Sequence, residues 1–390
     1  MLLYIHVPFC VKKCVYCAFH SVPLNAPDFE AYVSGLGHEI ALWGDRLARA
    51  KVSTIFFGGG TPSLLPETVL ADIFRKLERA FTIDPRAEVS FEGNPDSLAY
   101  GAGAYLATLK SLGVNRLSIG VQSFDDATLR LLGRAHDARQ AVNAYRLARA
   151  AGFSNVSLDL IWGLPGQRLK LWLDELKKVV DLAPDHLSCY GLTIEPDTPL
   201  ETMAFSHDMK LPSEDELARM FVHGGDYLES RGYLHYEVSN FAKMGFMCRH
   251  NQGYWEGRDY LGLGPSAVST VNGLRWDNPR DIGQYARDAR EARLGEKAEA
   301  LTPDERAREL IMLRLRTARG LRLKAYREMV GRDFVQEHRQ LIHGLHRMGL
   351  ARISQGYLRL TRNGMLVSNS ILERFFDAAG TPNGDADGEA

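Results

Sequence analysis

Nowhere does this sequence run through the ~18 consecutive apolar residues that a membrane-spanning helix needs. No charged-then-apolar leader stands ahead of its first cysteine. A soluble, cytoplasmic protein is expected. Charge imbalance is also missing: 47 Lys and Arg face 48 Asp and Glu, a net charge of -1. The chain as a whole is not built to sit on nucleic acid, and none is expected as a partner. Cysteine is scarce, with five in 390 residues. Three of the five, Cys10, Cys14 and Cys17, crowd into one short segment, too close to pair in ordinary disulfide geometry. A disulfide framework is thereby excluded, and metal ligation in a reducing compartment is indicated.

What is present is an alternation of short apolar runs and amphipathic stretches. Residues 2–6, 52–57, 88–92, 115–120, 155–161 and 186–192 read as strands. Helical patterns fill the intervals at 29–49, 67–80, 102–112, 125–132, 138–151 and 169–182. Six strand–helix units argue for an α/β fold with a parallel sheet and helices outside it. Beyond residue 195 the pattern changes to a helix at 214–231 and a strand at 233–238, and residues 241–278 look irregular. Helices at 303–319, 323–331 and 334–348, a hairpin tipped by Gln355-Gly356, and a helix at 363–376 resemble a winged-helix module.

The run HVPFCVKKCVYCAF sets Cys10, Cys14 and Cys17 in the spacing CxxxCxxC. A four-iron four-sulfur (4Fe-4S) cubane held by three thiolates keeps one iron without a protein ligand. That iron can take the amino and carboxylate groups of S-adenosylmethionine (SAM) and pass an electron to its sulfonium. The bland alternative is zinc, which asks for a fourth Cys or His; His6 and His20 are in range.

Gly58-Gly59-Gly60-Thr61-Pro62 follows the second strand, where glycine permits positive φ and close approach to a ligand. The same run also suits a plain tight turn. Glu92, Gln122, Arg134 and Asp159 lie on or just beyond the third, fourth and fifth strands. Each alone fits a cap or a surface contact; together they point toward one cavity mouth. The guanidinium fork suits a carboxylate, and the other three suit ribose hydroxyls or an ammonium group.

The triad spacing resembles the radical SAM superfamily across residues 1–270. The order YIHVPFC, GGGTPS, EGNPD, GVQSF, LGRAH and GLPGQ is similar to its HemN-related branch, which holds oxygen-independent coproporphyrinogen III dehydrogenases and HemW-type haem chaperones. The resemblance implies a partial (β/α)6 barrel with a C-terminal winged-helix-like domain, a 4Fe-4S cluster on the three cysteines, and bound SAM. It places Tyr4, Gly59, Gly60, Thr61, Glu92, Gln122, Arg134, Asp159 and Thr193 in the SAM pocket. The implied organisation is a radical SAM core over 1–200, barrel completion and a haem- or substrate-facing region over 201–300, the winged-helix-like domain over 301–376, and a disordered tail over 377–390.

Within this branch the chaperone reading is favoured. The dehydrogenases carry one more Cys where Phe19 stands, and a long segment ahead of the triad, where this chain has nine residues. Residues Cys248-Arg249-His250-Asn251-Gln252-Gly253-Tyr254-Trp255 carry HNxxYW, the motif associated with haem in HemW proteins. His250 is the implied iron ligand, with Cys248 a second candidate, and Tyr254 and Trp255 offer flat apolar surface. Two positions depart from the branch: Ser266-Ala267-Val268 replaces Gly-Ala-His, and Ala18 replaces an Asp. The implied function is binding haem as cargo and delivering it to haem-dependent apoproteins. A coproporphyrinogen dehydrogenase of porphyrin biosynthesis stands second, and a radical SAM enzyme modifying haem third. Residues 301–376 hold 15 Lys or Arg and 7 Asp or Glu. That basic module fits a solvated surface, an acidic partner or an anionic membrane face better than DNA.

Overall fold

A computed structural model describes residues 1–206 and 209–378. The chain forms two compact units. The larger comprises Met1–Leu234, Ser239–Gly253 and Arg258–Ala300; the smaller takes His235–Val238, Tyr254–Gly257 and the chain from Leu301 onward.

In the larger unit, β1 (Leu2–Val7), β2 (Lys51–Gly59), β3 (Thr82–Gly93), β4 (Arg116–Gln122), β5 (Val156–Trp162) and β6 (His186–Gly191) lie side by side in sequence order. All five pairings are parallel. The strands read as near-continuous apolar runs because both faces of such a sheet are covered. Outside them pack α1 (Ala26–Arg46), α2 (Glu67–Ala80), α3 (Ala104–Ser111), α4 (Ala138–Ala150) and α5 (Leu169–Asp181). Helix α2 buries Leu70, Ile73, Phe74 and Leu77, a stripe at helical spacing. Capping sets where helices begin. Asn25 accepts from the Asp28 backbone at the head of α1, and Asp137 and Gln140 close a capping box on α4. The α/β barrel expected from the sequence is therefore present.

Two readings are corrected. Residues 241–278 are not irregular. They supply β7 (Asn240–Ala242), antiparallel to β6, and β8 (Tyr260–Leu263), a seventh parallel strand beside β1. They also supply β9 (Val268–Val271) and β10 (Leu274–Asp277), extended by β11 (Glu299–Ala300) as an antiparallel meander. These strands have four residues or fewer, and Gly262 breaks the apolar pattern of β8. A Cβ at Gly262 would lie 2.3 Å from the Val268 carbonyl oxygen, so the close turn onto β9 requires glycine.

The second correction lies in the smaller unit. The expected helix 334–348 is interrupted at His338 (φ -114°, ψ 28°), giving Phe334–Glu337 and Arg339–Arg347. The expected helix 363–376 is likewise broken at Val367. Around them stand helices Pro303–Leu315 and Leu323–Val330 and a three-stranded sheet, Leu321–Arg322, Tyr357–Leu360 and Ala351–Ser354. Gln355 (φ 53°) and Gly356 (φ 75°) turn the hairpin in the left-handed region, as a two-residue turn demands. Phe334 anchors this unit's core, with Tyr326 and Phe375 at centroid distances of 4.9 and 5.2 Å. Of the expected disordered tail, 377–390, Asp377 and Ala378 end the helix Ser368–Ala378, and the rest lies outside the described residues.

Candidate iron–sulfur and SAM site

The three cysteines follow β1 at its C-terminal end, where ligand sites of parallel sheets collect. All three are half-buried, and none is in a disulfide. Glycine brings the chain close here: a Cβ at Gly60 would meet the Phe9 carbonyl oxygen at 2.6 Å. Gly59 takes φ +113°, open only to glycine, and a Cβ there would strike His6.

Both ring nitrogens of His6 are occupied, Nδ1 by the Tyr4 hydroxyl at 3.1 Å and Nε2 by the His20 carbonyl at 3.0 Å. Burial pushes its pKa down to about 4, so the ring is neutral. It ties Tyr4 and the cysteine loop together and has no nitrogen left for zinc. Among the described residues no three Cys, His, Asp or Glu side chains converge on a single-ion point. A cubane asks for something else, since each thiolate bonds a different iron.

Hydrogen-bond donors reach two of the sulfurs. Thr61 Oγ1 lies 3.6 Å from Cys10 Sγ, and Arg134 Nη1 lies 3.4 Å from Cys14 Sγ. Asn94, which sequence reasoning passed over, links these donors. Its Oδ1 accepts from Arg134 Nη2 at 2.6 Å, and its Nδ2 donates to Thr61 Oγ1 at 3.2 Å. Arg134 Nη2 also donates to the Gly120 carbonyl at 2.8 Å. A Cβ at Gly120 would lie 3.0 to 3.4 Å from Gln122 Nε2, Asn94 Oδ1 and Arg134 Nη2, so three polar groups gather over a glycine. Gln122 itself holds φ +68° at a register shift between β4 and β5, a bulge that re-aims its side chain.

Glu92 and Asp159 face the same interior from β3 and β5. Burial, with Asp159 nearby, pushes Glu92 up to about 8. Burial also raises Asp159, against hydrogen bonds from Ser118 and Ser157 at 3.0 to 3.1 Å. Arg116, 2% exposed, draws both carboxyls back toward ionisation. A cationic, hydroxyl-bearing ligand there would favour the ionised carboxylates and donate hydrogen bonds from its hydroxyls to them. Burial raises the Cys17 thiol too, and the Cys14 and Cys10 sulfurs add to the rise.

The cleft lined by Cys14, Thr61, Asn94 and Arg134 encloses about 30 Å³. Of the remaining expected SAM residues, Thr193 is exposed on the loop after β6. The residues present thus fit a cubane with one open corner: three free thiols, donors on two of them, an arginine beside them, and two carboxyls on neighbouring strands.

His250, the residue the resemblance implies as haem ligand, lies apart from the cysteines. His250 is 1% exposed, with Nδ1 2.8 Å from Thr54 Oγ1 and its ring against Phe56 at 5.1 Å. Glu88 accepts from the His250 and Arg249 backbone nitrogens, both at 3.0 Å, and from Cys248 Sγ at 3.5 Å. Thr54 pairs with Leu2, at the start of β1. His250 therefore fills the barrel's lower interior, at the end opposite the cysteines, and an iron would have to displace packed side chains to reach it. Burial pushes its pKa down to about 3. Tyr254 and Trp255 are half-buried.

Comparison with known proteins agrees with this architecture. The radical SAM superfamily model matches residues 4–179, and the HemN C-terminal domain model matches residues 301–367. The chain is 32% identical to the haem chaperone HemW of Bacillus subtilis over 376 residues, 95% of this chain and 98% of that one. It is 38% identical to HemW of Escherichia coli over 270 residues, 69% of this chain and 70% of that one. The solved structure of HemN, the radical SAM coproporphyrinogen III oxidase of Escherichia coli, matches with a TM-score of 0.80 and 27% identity. That match covers 96% of this chain and 89% of HemN. By sequence, domain content and fold, the chain belongs to the HemW family of radical SAM proteins.

Proposed function

We propose that this protein carries a 4Fe-4S cluster on Cys10, Cys14 and Cys17, binds SAM at the open iron, and carries haem to haem-dependent apoproteins. The observation that supports it best is the near full-length likeness to the haem chaperone HemW of Bacillus subtilis, joined to a triad in which each sulfur is free for iron. When bound, the cluster supplies one electron to the SAM sulfonium. The chain's own residues do the holding. Arg134, braced by Asn94 and Gly120, presents its fork toward the methionyl carboxylate; Glu92 and Asp159 receive the ammonium and ribose; Gly59 and Gly60 let the backbone come close.

One observation favours a second reading, porphyrinogen dehydrogenation: the fold matches HemN over nearly its whole length. Against it stands Phe19, 71% exposed, where the dehydrogenases have a cysteine. Anoxically reconstituted protein incubated with haem, and separately with coproporphyrinogen III, SAM and reductant, decides between them. Stable haem uptake without protoporphyrinogen supports the carrier. Protoporphyrinogen formed over many turnovers reverses the choice.

A further inference from the structure

The inward faces of β4, β5 and β6 are polar where the interior of such a barrel is ordinarily filled by Val, Ile and Leu. Strand register aligns Ser118 with Ser157 and Ser157 with His186. One step along, it aligns Asp159 with Ser188. Ser118, Ser157, His186 and Ser188 are all buried, at 5% exposure or less. Asp159 is only half-buried, so one side of its carboxyl stays open. Its partner on β4 is Gly120, which brings no side chain to compete for it.

The enclosed groups aim at that carboxyl. Ser118 Oγ lies 3.1 and 3.0 Å from its two oxygens, and Ser157 Oγ lies 3.1 Å from Oδ1. Ser157 Oγ also lies 2.8 Å from His186 Nδ1. A hydroxyl has one hydrogen to give. With Ser157 donating to the carboxylate, His186 donates from Nδ1, which fixes its tautomer. Burial, with Arg116 nearby, keeps that imidazole neutral. Buried hydroxyls and a buried imidazole cost free energy unless bonded, and apolar side chains would fill the same space. Here they converge on one acid from its enclosed side and leave its open side to a ligand.

We propose that Ser118, Ser157 and His186 are positioning residues for SAM, fixing the Asp159 carboxylate before the ligand arrives. This role rests on the SAM-binding reading above and lies one layer behind the residues that would touch the ligand. Arg116 from β4, Glu92 from β3 and Cys189 from β6 also act electrostatically with this carboxyl, and all three stay in place in the variants below.

The test is equilibrium dialysis of SAM against full-length, cluster-reconstituted protein, from about pH 6 to about pH 9. Variants are compared at equal cluster content. Removing a donor to a carboxylate favours its protonated form. On acidification, affinity should therefore be lost at a higher pH than in wild type. Ser157→Ala and Ser118→Ala should each weaken SAM about tenfold at the acidic end and approach wild type at the alkaline end. His186→Leu should behave as Ser157→Ala does. His186→Asn, whose amide places a donor where Nδ1 stood, should recover most of the affinity. Ser90→Ala deletes a buried hydroxyl on β3 that bonds nothing among the described residues, and should change nothing. Weakening that is equal at every pH, or no smaller with Asn than with Leu, marks a packing role and overturns the proposal. Equal weakening by Ser90→Ala does the same. Unaltered affinity in both serine variants overturns the proposal and leaves SAM binding standing. A wild type that binds no SAM overturns both.

Discussion

Arg134 donates one amino group to the sulfur of Cys14, at 3.4 Å, while its other amino group grips Asn94 at 2.6 Å. The guanidinium is thus oriented before any ligand arrives, and Asn94 is the residue that holds it. Asn94→Ala removes that grip and the bond to Thr61 together. SAM affinity of the reconstituted protein should fall about tenfold, the cost of one charge-assisted hydrogen bond, with cluster content unchanged. Equilibrium dialysis measures it, and an unaltered affinity would show that Arg134 needs no brace.

Thr61→Val keeps the shape of a side chain that is 4% exposed and deletes the donor aimed at Cys10. Hydrogen bonds to cluster sulfurs stabilise the more negative, reduced state. The midpoint potential of the reconstituted cluster should therefore become more negative, as read by potentiometric titration with EPR detection. No change in potential would remove Thr61 from the cluster's surroundings.

Glu39 sits fully buried on α1, accepting from the Tyr285 hydroxyl at 2.6 Å and from Gly264 N and Asn278 Nδ2 at 2.7 Å each. Burial raises its pKa to about 7, from 4.5. A raised carboxyl means the folded state binds the extra proton. Its contribution is therefore fully present below about pH 4.5 and is lost as pH rises through about 7. The loss amounts to roughly 3 kcal/mol across that window. Urea unfolding from pH 5 to 8 should show wild type losing stability relative to Glu39→Gln. Parallel profiles would show that Glu39 ionises normally.

His250→Ala should destabilise the fold by roughly 1–3 kcal/mol, because it empties a packed site and strips Thr54 of its partner. Urea unfolding measures this. Haem uptake that survives in the folded variant would make His250 a packing residue alone, and loss of uptake at undiminished stability would make it the iron ligand.

These sites differ in how openly the sequence declares them, and the reason is range. The cysteine triad, the glycine run and the strand–helix alternation are local patterns, written in spacing. Asn94 stands just before Pro95 and reads as a helix cap; its role appears only when Thr61 and Arg134 come in from distant segments. Glu39 left one trace, a carboxylate within the apolar stripe Tyr32, Leu36, Ile40 and Trp43. Its partners lie more than 200 positions away. His250 shows the same division. The aromatic context around it is visible locally, while Thr54 and Phe56, which enclose it, belong to another strand.

The most direct test of the account is the iron and acid-labile sulfide content of protein purified without oxygen, beside a variant with Cys10, Cys14 and Cys17 all changed to Ala. The account predicts about four irons and four sulfides per wild-type chain, and neither in the variant. A wild-type chain holding no sulfide, or a single zinc ion in place of the iron, would contradict it.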